Sequence, residues 1–304
     1  MQKKIGLMII GAQKAGTTSL NHYLSQHPRI YTHLTLEFGM FSNLENYNQG
    51  FDYYFNNAVS DKKKSVDGCV FIAKSVGLMY KPDLLSKLKE HNPDVKVVIV
   101  LRNPVERAFS AFWYCKKNGI EPYENFRDAI LLNDAERFKR NYSFKDDCDY
   151  VGRSSYLKHV NNVMRIFPPE NVKVLLFEEI ITEPNRYLNN ISGFVGLEEF
   201  TFDVSTRYNE GHHPRSKFFS KVLSPRKNTI LKKIIPLKQR TKIKQSLKKV
   251  NSVKAPEEHR SMEQHIREHL VSIFQQDIDE LETLTNLPLK NYWNEFFING
   301  KHAP

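Results

Sequence analysis

The stretch Ile5–Leu24, IGLMIIGAQKAGTTSLNHYL, governs how the rest of the chain is read. Its first part, Ile5 to Ile10, is a short apolar run that stops at Gly11. A run of that length bounded by glycine reads as a buried strand of a parallel sheet. From Thr17 to Leu24 the pattern reads as a helix, with Thr and Ser residues able to cap its first turn. His27-Pro28 ends it. Between strand and helix lies Gly11-Ala12-Gln13-Lys14-Ala15-Gly16-Thr17-Thr18-Ser19. Glycines let such a loop turn tightly and bring its N–H groups close to an anion. The helix N-terminus adds unpaired donors and a partial positive charge, and Lys14 adds a full one. The segment therefore reads as a phosphate loop.

It is close to the nucleotide-binding pattern G-x-x-x-x-G-K-[ST], and the departure is informative. Gly11 and Gly16 have the right spacing, but Thr17 holds the lysine's place and the lysine stands upstream at Lys14. A kinase also needs an acidic magnesium ligand at a later strand end. The clearest later strand, Asp94–Leu101 (DVKVVIVL), runs into Arg102 instead. A cation in that position favours a ligand with an extra phosphate and no required metal.

Further along, Pro82–His91 and Pro104–Lys117 read as helices on either side of that strand, proline being tolerated in a first turn. Ser154–Phe167 reads as an amphipathic helix, Val172–Phe177 as a strand and Pro184–Val195 as a helix. The longest helical pattern is Pro256–Thr285, where Leu270, Ile273, Phe274, Ile278, Leu281 and Leu284 follow a three-to-four spacing. Strands alternating with helices predict an α/β fold with a P-loop-like central parallel sheet flanked by helices, in a single domain spanning 1–304.

Composition narrows the function. The 304 residues are 40% hydrophobic, which suits one large domain with a sizeable core. No apolar run approaches the ~20 residues of a membrane span, and the short apolar N-terminus runs into the loop rather than a cleavage site. A cytoplasmic location is the expectation. Cys69, Cys115 and Cys148 carry no CxxC pairing, which argues against a disulfide framework and a zinc site. The net charge of +11 is concentrated: Lys221–Val250 holds eleven Lys or Arg and no acid, and without them basic and acidic residues balance at 34 each. Such a block, expected as a basic helical excursion at 221–250, attracts an acidic polysaccharide, an anionic membrane surface or nucleic acid. No helix-turn-helix, zinc-finger or RNA-binding aromatic signature accompanies it, so nucleic acid is not the expected partner.

Two motifs together resemble those of sulfotransferases that use 3′-phosphoadenosine 5′-phosphosulfate (PAPS). Gly11–Leu20 resembles the family's 5′-phosphosulfate loop, and Val97–Ser110 (VVIVLRNPVERAFS) resembles its 3′-phosphate site. The resemblance implies that Lys14, Ala15, Gly16, Thr17, Thr18 and Ser19 hold the 5′ end, and that Arg102 and Ser110 grip the 3′-phosphate. Ser110 falls about two turns into the helix after Arg102, a spacing that lets both face one anion. Likeness extends over nearly the whole chain. Gly152–Phe177 resembles the family's middle segment, in which the resemblance implies that Tyr156 belongs with the cofactor-binding residues, followed by Glu178-Glu179. Tyr208–Arg215 (YNEGHHPR) resembles a late loop in which Arg215 and Ser216 would cover the cofactor. Asp277–Trp293 resembles the C-terminal helix. The style is that of the glycan group, which includes heparan sulfate and bacterial enzymes.

In that group a glutamate within Lys-Glu-x-x-x-Phe acts as general base. Here Leu36-Glu37-Phe38-Gly39-Met40-Phe41 matches at Glu37 and Phe41, with Leu36 in place of the lysine. Glu37 is the candidate base, and His33, nearby in sequence, is its rival. Lys14 would neutralise the leaving phosphate. Lys74, in Ile72-Ala73-Lys74-Ser75, resembles the family's lysine-serine pair near the acceptor, with Val76 where proline is usual. The expected reaction is transfer of the sulfuryl group to a hydroxyl or amine, on a carbohydrate or glycoconjugate, leaving adenosine 3′,5′-bisphosphate (PAP). A P-loop kinase and a non-catalytic anion-binding module are the alternatives.

Overall fold

A strand apolar on both sides has to lie inside a sheet covered on both faces. In the computed structural model, which describes residues 4–33, 37–58, 68–132, 145–205, 212–214, 252–254 and 261–297, this strand is central. The strands are β1 Leu7–Gly11, β2 Ile30–Thr32, β3 Val70–Lys74, β4 Lys96–Leu101 and β5 Val172–Leu176. All pair in parallel, in the order β2-β3-β1-β4-β5. Every residue of β1 is buried, as are Val97 to Leu101 of β4. The α/β reading therefore holds, with the parallel sheet at its centre.

The helices are α1 Thr17–Leu24, α2 Leu44–Asn48, α3 Phe51–Ala58, α4 Pro82–His91, α5 Pro104–Lys117, α6 Phe126–Leu131, α7 Tyr156–Ile166, α8 Phe177–Thr182, α9 Pro184–Phe194, α10 Gln264–Thr285 and α11 Leu289–Tyr292. Proline opens α4, α5 and α9, where its missing N–H costs nothing. α10 begins at Gln264, later than the periodicity suggests, because the described residues before it are not helical. Strands β2 and β3 escape a reading by pattern. The first is three residues long, and the second buries a lysine at its end, so neither shows a clean apolar run.

Packing groups the chain into two compact units. Met1–Pro104, Ser155–Tyr208 and Gln275–Pro304 form the first, which contains the five-stranded sheet. In it Trp293 is fully buried, its ring 6.3 Å from that of Tyr156. The second comprises Val105–Ser154 and Asn209–Phe274. There Phe112 packs on Phe126 and Tyr150 at 5.5 and 6.0 Å. Arg107 is fully buried, giving Nε to Ser154 Oγ and Nη2 to the Tyr150 carbonyl, each at 2.7 Å. Those bonds offset part of the cost of burying its charge. A short antiparallel pair, β6 His212–Pro214 with β7 Ser252–Lys254, also belongs to it. The basic block 221–250, together with Arg215 and Ser216, lies outside the described residues, as does most of 208–215. No helix among the described residues is long and apolar enough to cross a membrane.

One helix start is capped from a distance. Ser155 stands at the head of α7 but its side chain makes no cap. Asp277 of α10 takes the place, accepting the Leu157 N–H at 3.1 Å. Burial pushes the Asp277 carboxyl above its ordinary value, outweighing the N–H groups of Leu157 and Tyr156, which pull it down. A native carboxyl that holds its proton more tightly than the unfolded one loses stability as pH rises through its native pKa. Asp277→Asn keeps an acceptor for Leu157 without the charge. Thermal melts of this variant between pH 4 and 7 should lack the part of the decline that Asp277 causes. Asp277→Ala, which removes the cap, should cost about 1 kcal/mol.

Candidate functional site

Ligands of open parallel sheets bind outside the carboxyl ends of the strands. In the first unit that edge carries the phosphate loop after β1, Lys74 ending β3, Arg102 after β4 and Phe177 after β5. The register accounts for this convergence. Ile9 of β1 lies beside Lys74 of β3, and Leu101 of β4 beside Leu176 of β5. The β1–β4 ladder slips at its end, from Ile9↔Val98 to Gly11↔Ile99, so β1 carries one extra residue there. A bulge of this kind re-aims the chain, here into the loop.

The loop is built for donors. Gly16 holds φ 73° at the N-cap of α1, and no side chain caps the helix. The expected Thr and Ser cap is therefore corrected: the cap residue is a left-handed glycine, a conformation that β-branched residues avoid. A glycine cap offers no side-chain acceptor to the first-turn N–H groups, which lie at the positive end of the helix dipole. Lys14 also has a positive φ, of 72°, which non-glycine residues adopt rarely and which tends to be kept at functional sites. Lys14, Gly16, Thr18 and Ser19 are partly open to solvent, whereas Ala15 and Thr17 are buried. Arg102, also partly open, gives Nη1 to the Lys14 carbonyl at 3.3 Å, so the arginine reaches the loop. Tyr156, grouped with the cofactor residues on sequence, is fully buried, and its hydroxyl donates to the Arg102 carbonyl at 2.8 Å. Glu178 accepts the Asn103 N–H at 2.9 Å, and Asn103 Nδ2 donates to Glu295 at 2.8 Å. The backbone on both sides of the Arg102–Asn103 bond is thus clamped. Ser110 lies half-buried on α5 in the second unit.

The second cluster centres on Glu37. Phe38 and Phe41 are fully buried and anchor its turn. Phe38 packs against Phe71 at 5.6 Å and Phe51 at 6.0 Å, and its N–H donates to the Lys74 carbonyl at 2.7 Å. Glu37 is thereby set against the end of β3. Lys74 Nζ lies 2.5 Å from Glu37 Oε1, and the Val76 N–H donates to Oε2 at 2.9 Å. Lys74 is only 2% exposed, so it is no surface lysine, while the Glu37 side chain keeps 33% of its exposure. His33 is buried, and its Nε2 accepts the Lys74 N–H at 3.0 Å. The lone pair a base would need is engaged there, which favours Glu37 over His33. Partial burial first, and the Lys74 charge second, lower the pKa of His22 on α1. A partly exposed carboxylate beside a buried cation, and a loop carrying Lys14 that an arginine reaches, are parts suited to group transfer between anions.

A match to the sulfotransferase domain covers residues 4–282. The chain belongs to the sulfotransferase domain family. Among its relatives is the bifunctional heparan sulfate N-deacetylase/N-sulfotransferase 1 of Caenorhabditis briggsae, 26% identical over 221 residues. That alignment takes in 69% of this chain and 25% of the relative. Human heparan sulfate glucosamine 3-O-sulfotransferase 5 is 28% identical over 196 residues, 62% of this chain and 53% of the relative. The chain thus spans about a quarter to a half of the length of these curated relatives. The crystal structure of a sulfotransferase from Alicyclobacillus acidocaldarius superposes with a TM-score of 0.65 at 26% identity, covering 96% of this chain and 99% of that one.

The donor set of this sulfotransferase-family chain fits a nucleotide with negative charge at both ends. Lys14 and the α1 terminus suit one end and Arg102 the other. Among the described residues no cluster of three His, Cys, Asp or Glu could hold a metal ion. Sequence reasoning missed the Val76 N–H, the Glu37–Lys74 ion pair and the place of Phe177. The two residues of the ion pair are 37 positions apart, and the bond from the Phe38 N–H to the Lys74 carbonyl brings them together.

Proposed function

We propose that this chain transfers the sulfuryl group of PAPS to a hydroxyl or amine of a carbohydrate acceptor. The observation that carries the reading is Arg102, which reaches the carbonyl of Lys14 from a strand end where a kinase would place an acid. Lys14 and the α1 N-terminus would bind the 5′-phosphosulfate, and Arg102 the 3′-phosphate. Glu37 takes the acceptor's proton as the acceptor oxygen or nitrogen bonds to sulfur. The bond between sulfur and the bridging phosphate oxygen breaks, and PAP leaves with the electron pair. Lys14 offsets the charge that builds on the departing phosphate. Lys74 keeps Glu37 in place. A glycan acceptor is supported by what the relatives' names say they act on, heparan sulfate and its glucosamine.

Calorimetric titration with PAP, ADP and ATP, each with and without magnesium, tests the cofactor. PAP should bind at least about tenfold more tightly than ADP, as expected for one extra charge-assisted contact, and magnesium should not matter. Preference for ATP with magnesium would restore the kinase reading.

A further inference from the structure

We infer that Phe177 is a positioning residue whose ring sets the Arg102 guanidinium against the phosphate loop and so tunes recognition of the 3′-phosphate. The inference rests on the reading of Arg102 as the 3′-phosphate ligand.

The placement follows from the sheet. Leu101 and Leu176 are register partners at the carboxyl ends of β4 and β5, so Arg102 and Phe177 are the next residues out of adjacent strands. The Phe177 ring centre lies 5.2 Å from the Arg102 guanidinium carbon. That is within the range in which an arginine is held by an aromatic face. An edge of the same ring fills the space beside Gly16. A Cβ built on Gly16 would stand 2.7 Å from Phe177 Cε2 and 2.8 Å from Cδ2. One ring therefore touches the glycine that opens α1 and faces the arginine, while Arg102 Nη1 reaches the Lys14 carbonyl.

Two consequences follow. Gly16 is required twice over, by its φ of 73° and by the ring against it. Moreover, the distance between the two anion-binding ends is set by a half-buried apolar side chain, not only by the charged residues. The neighbour Glu178 holds the backbone after Arg102, so consecutive residues secure the arginine's side chain and its main chain.

The test compares wild type, Phe177→Leu and Phe177→Tyr, titrated with PAP and with ADP, with a melting curve for each. Leucine keeps apolar bulk beside Gly16 but has no aromatic face, and tyrosine keeps the face. Phe177→Leu should weaken PAP roughly tenfold while ADP changes less than about threefold, and Phe177→Tyr should bind both nearly as wild type does. Equal losses for PAP and ADP in Phe177→Leu, or an unchanged PAP preference, would overturn the inference. If wild type itself shows no preference for PAP, it is the 3′-phosphate reading that fails, and the two failures are told apart.

Discussion

Replacing Glu37 with glutamine should lower kcat by roughly 10²-fold or more, because positioned general bases contribute on that scale. Glutamine keeps an oxygen for the Val76 N–H and nearly the same shape, so the turn anchored by Phe38 and Phe41 should survive. The charge does not survive. Lys74 is 2% exposed and would lose its counter-ion, and a buried charge without a partner destabilises the fold. The partial exposure of Glu37 moderates that cost. Melting temperature is therefore measured beside kcat, and the double variant Glu37→Gln, Lys74→Met supplies the control. With the stranded charge gone, stability should return while kcat stays low. If kcat of the single variant is near normal, or if it recovers in the double variant, Glu37 is not the base.

The second large effect is expected at Arg102. Arg102→Ala should weaken PAP about 10²-fold, the scale of losing a charge-assisted, forked contact to phosphate. ADP, which lacks the 3′-phosphate, should change far less. The control matters because Arg102 also touches the loop through the Lys14 carbonyl. A loosened loop would weaken both nucleotides alike, and equal losses would remove the 3′-phosphate assignment. Arginine at this position is not interchangeable with lysine. Only the planar guanidinium can both lie over the Phe177 ring and reach a phosphate with paired donors. Arg102→Lys should accordingly recover part of the affinity and not all of it.

Much of the architecture was legible in one dimension. The bounds of α1, α4 and α5 follow from proline, glycine and apolar spacing, and these signals act within a few residues of where they stand. The same holds for the phosphate loop. A strand, a glycine turn and a helix start occupy a single stretch of about twenty residues, so the sequence alone marks a phosphate loop as the expectation there and puts Arg102 at the end of a strand. Glu37 and Lys74 could be named one at a time, through the motifs they resemble.

Their partnership could not. The pairing of Lys74 with Glu37, the engagement of His33 by the Lys74 N–H and the wedge of Phe177 between Gly16 and Arg102 each join residues at or beyond the ends of different strands. The first two depend on β2 lying beside β3, and the third on β4 lying between β1 and β5. Strand order and register are settled by the packing of the whole sheet, because a buried strand with no polar face carries no local mark of which neighbour it will take. The same limit explains the cap of α7, where Ser155 stands at the helix head but Asp277, 120 residues away, does the bonding. Local chemistry wrote the loop and the arginine into the chain, and only tertiary packing decided which side chains hold them in place.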